Sequence, residues 1–136
     1  MLLPFLLAIT PVAEDCAFPE NYSIDDARPF QKAGKGLWIG GLAFTRADIA
    51  GTRPVESEYG IGWTLELSFT QAGNARFVQA QHCGVGRPIE ISIDRHVLSR
   101  PVLNEQILGG KAVITGGWKT REEVEAVARR ISGDGV

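Results

Sequence analysis

The sequence has no surplus of positive charge. Its 14 Lys and Arg are set against 16 Asp and Glu, a formal net charge of -2, and the basic residues are scattered among the acids. Such a chain has no field with which to hold a phosphate backbone, so nucleic acid is not expected as a partner. Long apolar runs are lacking as well. The opening run "MLLPFLLAITPVA" ends at Ala13, short of the roughly 20 residues a membrane helix needs, so contact with a membrane is expected only indirectly. The glycine pairs follow neither P-loop nor dinucleotide spacing, His82 and His96 show no recognised metal-ligand spacing with their neighbouring acids, and cysteine is limited to Cys16 and Cys83. Neither cofactor nor metal is expected.

What is present is ordinary globular composition, 44% hydrophobic and 22% charged over 136 residues, which suits one domain with one substantial core. Residues 1–13 read as a secretory signal peptide: an apolar core of the length such signals use, followed at once by Glu14 and Asp15. The fit departs at two points, since no Lys or Arg precedes the run and Pro11 sits close to the expected cleavage point. Cys16 is not preceded by the small residues of a lipoprotein site. Export would put the chain in a periplasmic or other extracytoplasmic compartment where Cys16 and Cys83 can form a disulfide, although sequence does not say whether their Cα atoms meet.

Residues 14–36 mix Pro, Gly, Asp and Asn without a sustained period and read as an extended arm. The folded part begins near Leu37 with a short strand broken by Gly40 and Gly41, after which Thr45 caps one helical turn. In "IGWTLELSF", residues 61–69, Ile61, Trp63, Leu65, Leu67 and Phe69 alternate with Gly62, Thr64, Glu66 and Ser68. This strict period of two predicts a strand with one core face and one wet face, and hence an antiparallel sheet. Thr70 then caps a helix that Gly84 ends, with Gly73 marking close packing on the sheet. "RPIEISIDR" predicts a second strand with Ile89, Ile91 and Ile93 inward and Glu90, Ser92 and Asp94 outward. Residues 94–117 have the look of a hairpin. The last helix is the clearest: Thr120 and Glu123 form a capping box, Val124, Val127, Ala128 and Ile131 share a face, and Gly133 stops it. The order implies an α+β fold, an antiparallel sheet with two helices packed on one face, ferredoxin-like in kind.

The stretch "GRPIEISIDRHVLSRPVLNEQILGGKAVITGGWKTREEVEAVARRISG" resembles the first periplasmic domain of SecD, the auxiliary subunit of the Sec export machinery. The resemblance is carried by Gly86, Ile91, Asp94, Val97, Ser99, Pro101, Val102, Ile107, Gly109, Gly110, Ile114, Gly116, Thr120, Glu122, Glu123 and Gly133. "FTRADIAG" and "LELSFTQAGNARF" extend it, so that residues 37–136 read as a SecD head-like domain. The sequence departs from that family at Arg100, where a small alanine is usual, at His96, where glycine is commoner, and at Trp118 in place of phenylalanine. Val136 falls where a SecD subunit would enter its membrane helices, so the resemblance implies a head module without the proton-coupled part.

Within this frame Pro101 is expected where a strand leaves its ladder or runs along an edge, Gly109 and Gly110 at a reversal, and Gly116 and Gly117 in the turn into the last helix. These, with Asp94, Ser99, Thr120 and Glu123, are architectural. His82 beside Cys83 invites a thiol-protease reading, but adjacent helical residues point about 100° apart and no orienting partner is named, so no catalysis is expected. The resemblance implies a non-enzymatic, exported module that binds protein, either an emerging polypeptide, a Sec membrane subunit or another envelope component. Contact would run through the open sheet face or an exposed edge. Candidate contacts are Glu66, Arg100, Asn104, Trp38 and Trp118, with Trp63 assigned to the core. A reading from another class keeps the fold and drops export, leaving a small-ligand or oligomerisation module.

Overall fold

A computed structural model describes residues 16–19, 26–58, 60 and 62–132. The signal-peptide reading of residues 1–13, the alternation at Ile61 and the Gly133 stop lie outside these. Among the described residues, seven strands and two helices follow the arm: β1 Leu37–Ile39, β2 Leu42–Phe44, β3 Ile49–Glu56, β4 Trp63–Phe69, α1 Gln71–Ala80, β5 Ile91–Ile93, β6 His96–Ser99, β7 Lys111–Trp118 and α2 Arg121–Ser132, with a 3-10 turn at Arg46–Asp48. The α+β class stands, and every named strand pairing is antiparallel. The strands are divided between two sheets, β2–β1–β5–β6 and β3–β4–β7. One core joins them, with Ile39, Ile91 and Ile93 from the first sheet, Leu65, Leu67 and Ile114 from the second, Phe77 from α1, and Val124 and Ile131 from α2. Helix α2 packs on β3, β4 and β7. Among the described residues no helix is long and apolar enough to cross a membrane.

The helix starts follow from their caps. Thr70 Oγ1 accepts the Gly73 N–H at 3.0 Å, and Thr120 Oγ1 accepts that of Glu123 at 3.2 Å, each satisfying one orphan donor of a first turn. Helix α1 ends at Ala80, and the chain turns through residues 81–83 before Gly84 takes its left-handed conformation, φ +89°. The close approach at Gly73 is made to the 3-10 turn: a Cβ there would lie 1.9 Å from the Asp48 carbonyl oxygen. Asp48 in turn accepts the Thr45 N–H at 2.8 Å.

Residues 94–117 are not one hairpin. Asp94 and Arg95, with φ of +51° and +69°, make the two-residue turn of the β5–β6 hairpin, the geometry that matches strand twist. After Ser99 the chain runs on along the sheet edge through Pro101, where a missing N–H is tolerated and the Pro101 carbonyl accepts the Ile89 N–H at 2.9 Å; past the Pro88–Val102 bridge it crosses to the other sheet to form β7. Gly110 supplies φ +77° at the entry to β7. Gly116 and Gly117 are not in the turn to α2; they lie within β7, where the pairing jumps from Thr64–Thr115 to Trp63–Trp118 and leaves both as a bulge. A Cβ on Gly116 would meet the Trp118 ring at 2.5 Å, so the bulge makes room for that indole to turn inward.

Candidate functional site

Glu90 and Ser92 were expected on a wet face, and both are buried, at 3% and 1% exposure. The second face of the first sheet is covered where Glu90 sits, because the arm lies over it. The Glu90 carboxylate accepts backbone N–H groups from Phe30 at 2.9 and 2.8 Å and from Gln31 at 2.6 Å. Ser92 lies across the strands from Trp38 and Val97.

This burial corrects the expectation for Arg100. Its side chain is fully out of solvent, with Nε 2.8 Å from Glu90 Oε2. The guanidinium also donates to the Asp26 and Arg28 carbonyls and stacks over Phe30, 4.5 Å from the ring centroid. A group so enclosed fastens the arm and offers nothing to a partner. Trp118 is corrected likewise: at 9% exposure it belongs to the core. Trp63, assigned inward, is only partly buried. Trp38 is half-buried, its indole N–H donating to the Lys35 carbonyl at 3.1 Å.

Glu66 does stand on the open face of the second sheet, opposite Arg53 on β3 and Val113 on β7. Arg53 Nη2 is 3.3 Å away and Lys111 Nζ 3.7 Å. The hydrogen bond from Arg53 holds the Glu66 carboxyl below its ordinary range against the opposing cost of desolvation. This face is polar and charged along its centre, with Val113 as an exposed apolar neighbour at 59%.

Asn104 is exposed on the loop between β6 and β7, and around it lies the apolar surface that a protein-binding reading requires. Val102, Ile107 and Leu108 are 52%, 36% and 60% exposed, and Val85, on the loop after α1, is 61% exposed. The two loops are held together. Gly86 N–H donates to the Leu103 carbonyl at 2.7 Å, Leu103 N–H to that of Arg87 at 3.0 Å, and Pro88 bridges Val102. The buried Gln81 amide completes the tie, accepting the Ile107 N–H at 2.7 Å and donating to the Ile107 carbonyl at 2.8 Å. The groove between Ile89, Pro101, Leu103 and Ile107 encloses about 260 Å³, below the ~300–1,000 Å³ of small-molecule sites.

Cys16 and Cys83 are joined in a disulfide, with Cα atoms 5.6 Å apart. That bond removes the thiol which a His82–Cys83 catalytic pair would need. His96 is exposed at the start of β6. The residues that sequence reasoning missed are Glu90, Gln31 and Gln81, all buried side chains that fasten loops. Their signal was a polar residue within or beside an apolar run.

Residues 30–133 match the family model described as "SecDF, P1 head subdomain". The chain is similar to the protein translocase subunit SecDF of Thermus thermophilus, 33% identical over 87 residues, which cover 64% of this chain and 12% of the relative. It is also similar to the protein translocase subunit SecD of a Synechocystis strain, 30% identical over 84 residues, covering 57% of this chain and 18% of the relative. The chain thus spans less than a fifth of the length of these two relatives. Among solved structures, one described as "Structure and function of a membrane component SecDF that enhances protein export" matches at 31% identity and a TM-score of 0.56, covering 64% of this chain and 39% of that one. A crystal structure of SecDF in a super-membrane-facing form matches at 31% identity and a TM-score of 0.57, covering 64% and 12%.

Proposed function

This chain belongs to the SecDF P1 head family, and from that membership we propose that it works outside the cytoplasm as a non-enzymatic module that contacts protein in support of export, with residues 1–13 as its export signal. The contact is an apolar segment of a polypeptide in transit or of a Sec membrane subunit. The single observation that carries this reading is the exposure of Val85, Val102, Ile107 and Leu108 on two loops tied to each other. Apolar side chains held out by a rigid frame favour a protein partner, because their burial is the main driving force of association and the frame limits the entropy lost. Asn104, exposed beside them, supplies a side-chain amide for the partner's backbone. The open face at Glu66, with its ion pairs to Arg53 and Lys111, offers a charged rim of lesser weight.

The test is photo-crosslinking in living cells from a probe at Leu108, with Glu122 on the exposed side of α2 as the control position. Crosslinks from Leu108 but not Glu122 to Sec subunits or to many exporting chains support the proposal. A single unrelated resident protein, or self-crosslinks only, would assign the fold to another use, and intact mass of the purified protein reads whether residues 1–13 are removed.

A further inference from the structure

Gln31, though buried, directs its side-chain amide at the sulfur of Cys83. Its Oε1 accepts the Glu90 N–H at 2.8 Å, which orients the group, and its Nε2 then lies 3.6 Å from Cys83 Sγ. On the solvent side His82 Nε2 also lies 3.6 Å from that sulfur. The donor atoms of Cys16, His82 and Cys83 all fall within 4.8 Å of one another. A structural disulfide gains little from such company, whereas a thiolate gains from the Gln31 N–H, because a donor directed at sulfur favours its charged form.

We propose that Cys16, Cys83 and His82, once the disulfide is reduced, bind zinc(II). A tetrahedral ion with bonds of about 2.3 Å to sulfur and 2.0 Å to nitrogen sets those two atoms about 3.5 Å apart. The Cys83–His82 separation of 3.6 Å already meets this. The two sulfurs must part to about 3.8 Å, which side-chain rotation supplies while their Cα atoms stay near 5.6 Å. The reductant is a dithiol, which gives two electrons and two protons to the disulfide and leaves as its own disulfide. The cation then displaces two thiol protons, and three protein ligands leave a fourth position for water. Exposed His82 gives the ion its entry, and Gln31 orients a ligand from behind. The metal closes the same staple between arm and domain that the disulfide closes, so only the reduced, metal-free chain lets go of Cys16.

The full chain, reduced with a phosphine and cleared of it without air, is titrated with cobalt(II) and then zinc(II). One equivalent of cobalt with thiolate-to-cobalt absorption, displaced by zinc, is the expected result, with no such absorption from the oxidised chain. His82→Ala, at an exposed position, lowers zinc affinity at least about tenfold, and Gln31→Leu about 10- to 100-fold, the range seen for outer-shell partners. Near-ultraviolet circular dichroism on the same samples reads whether the reduced chain stays folded. Absence of thiolate–cobalt absorption, folded or not, overturns the proposal, as does His82→Ala binding zinc like the parent.

Discussion

Arg100 Nε lies 2.8 Å from Glu90 Oε2 with both side chains out of solvent, and this pair holds the arm from two directions. Arg100 donates to the carbonyls of Asp26 and Arg28, while Glu90 accepts the N–H groups of Phe30 and Gln31. A buried ion pair is costly to break singly, because the survivor stays desolvated without its partner. Arg100→Met is therefore expected to lower stability by about 3–5 kcal/mol. Glu90→Leu with Arg100→Met removes both charges and should cost clearly less than the single change. Urea unfolding midpoints of the two variants check this; a double variant as unstable as Arg100→Met would refute the ion-pair account.

The disulfide closes a loop with a sequence separation of 67. In the chain-entropy model such closure contributes about 4 kcal/mol by restricting the unfolded chain. Cys16→Ser with Cys83→Ser should lower the thermal midpoint, and added reductant should then leave that variant's midpoint unchanged. Equal midpoints for parent and variant without reductant would mean that the arm is held by its hydrogen bonds, those of Glu90, Arg100 and Gln31 among them, without need of the disulfide.

Gly73→Ala sets helix propensity against packing. Alanine favours a helix interior by about 1 kcal/mol over glycine, yet its Cβ would fall 1.9 Å from the Asp48 carbonyl oxygen. Neither backbone can yield that far without separating α1 from the 3-10 turn, so the variant should be destabilised, by about 1–3 kcal/mol in the usual range for overpacking. Gln71→Ala, at an exposed position on the same helix, is the comparison and should stay within about 0.5 kcal/mol of the parent. A stabilised Gly73→Ala would show that propensity prevails.

Asp94 ties the β5–β6 turn to two other elements: Oδ1 accepts the Gly36 N–H at 2.8 Å, and Oδ2 pairs with Arg130 of α2 at 2.7 Å. The Arg130 hydrogen bond, then that of Gly36, hold its carboxyl below the ordinary aspartate range. A carboxyl depressed in the folded state contributes stability that is complete above its unfolded value and is lost as pH falls through the folded one. The stability difference between the parent and Asp94→Asn should hold steady from neutrality to about pH 5 and shrink as pH drops below about 4, the ordinary aspartate value. The side chain is 42% exposed, so the increment is screened and small. Urea titrations at several pH values read it; a difference that grows toward low pH would reverse the assigned sign.

Local patterns carried much of the fold. The alternation through Leu65, Leu67 and Phe69 and the capped, amphipathic run from Thr120 became β4 and α2, since periods of 2 and 3.6 depend only on near neighbours. Less legible were the glycines at 116 and 117, which read as a turn and are a bulge, because only the pairing with β4 reveals that two residues oppose none. Nor could periodicity separate one sheet from two, as β6 and β7 alternate alike whichever strand they pair with.

The elements, the α+β class and the family likeness thus belonged to the sequence, each being a short-range or position-by-position property. The fate of Glu90 and Arg100 belonged to the tertiary structure. From the turn at Asp94 and Arg95, simple hairpin counting sets Glu90 opposite Ser99. A register shift between Ile91 and Ser92 puts Ser99 opposite Ile91 instead, so that Arg100 reaches Glu90. Whether that pair faced water or protein then depended on an arm some 60 residues earlier folding back over it. An outward-pointing residue on a strand is wet only if nothing lies above it, and no alternation of residue types records what does.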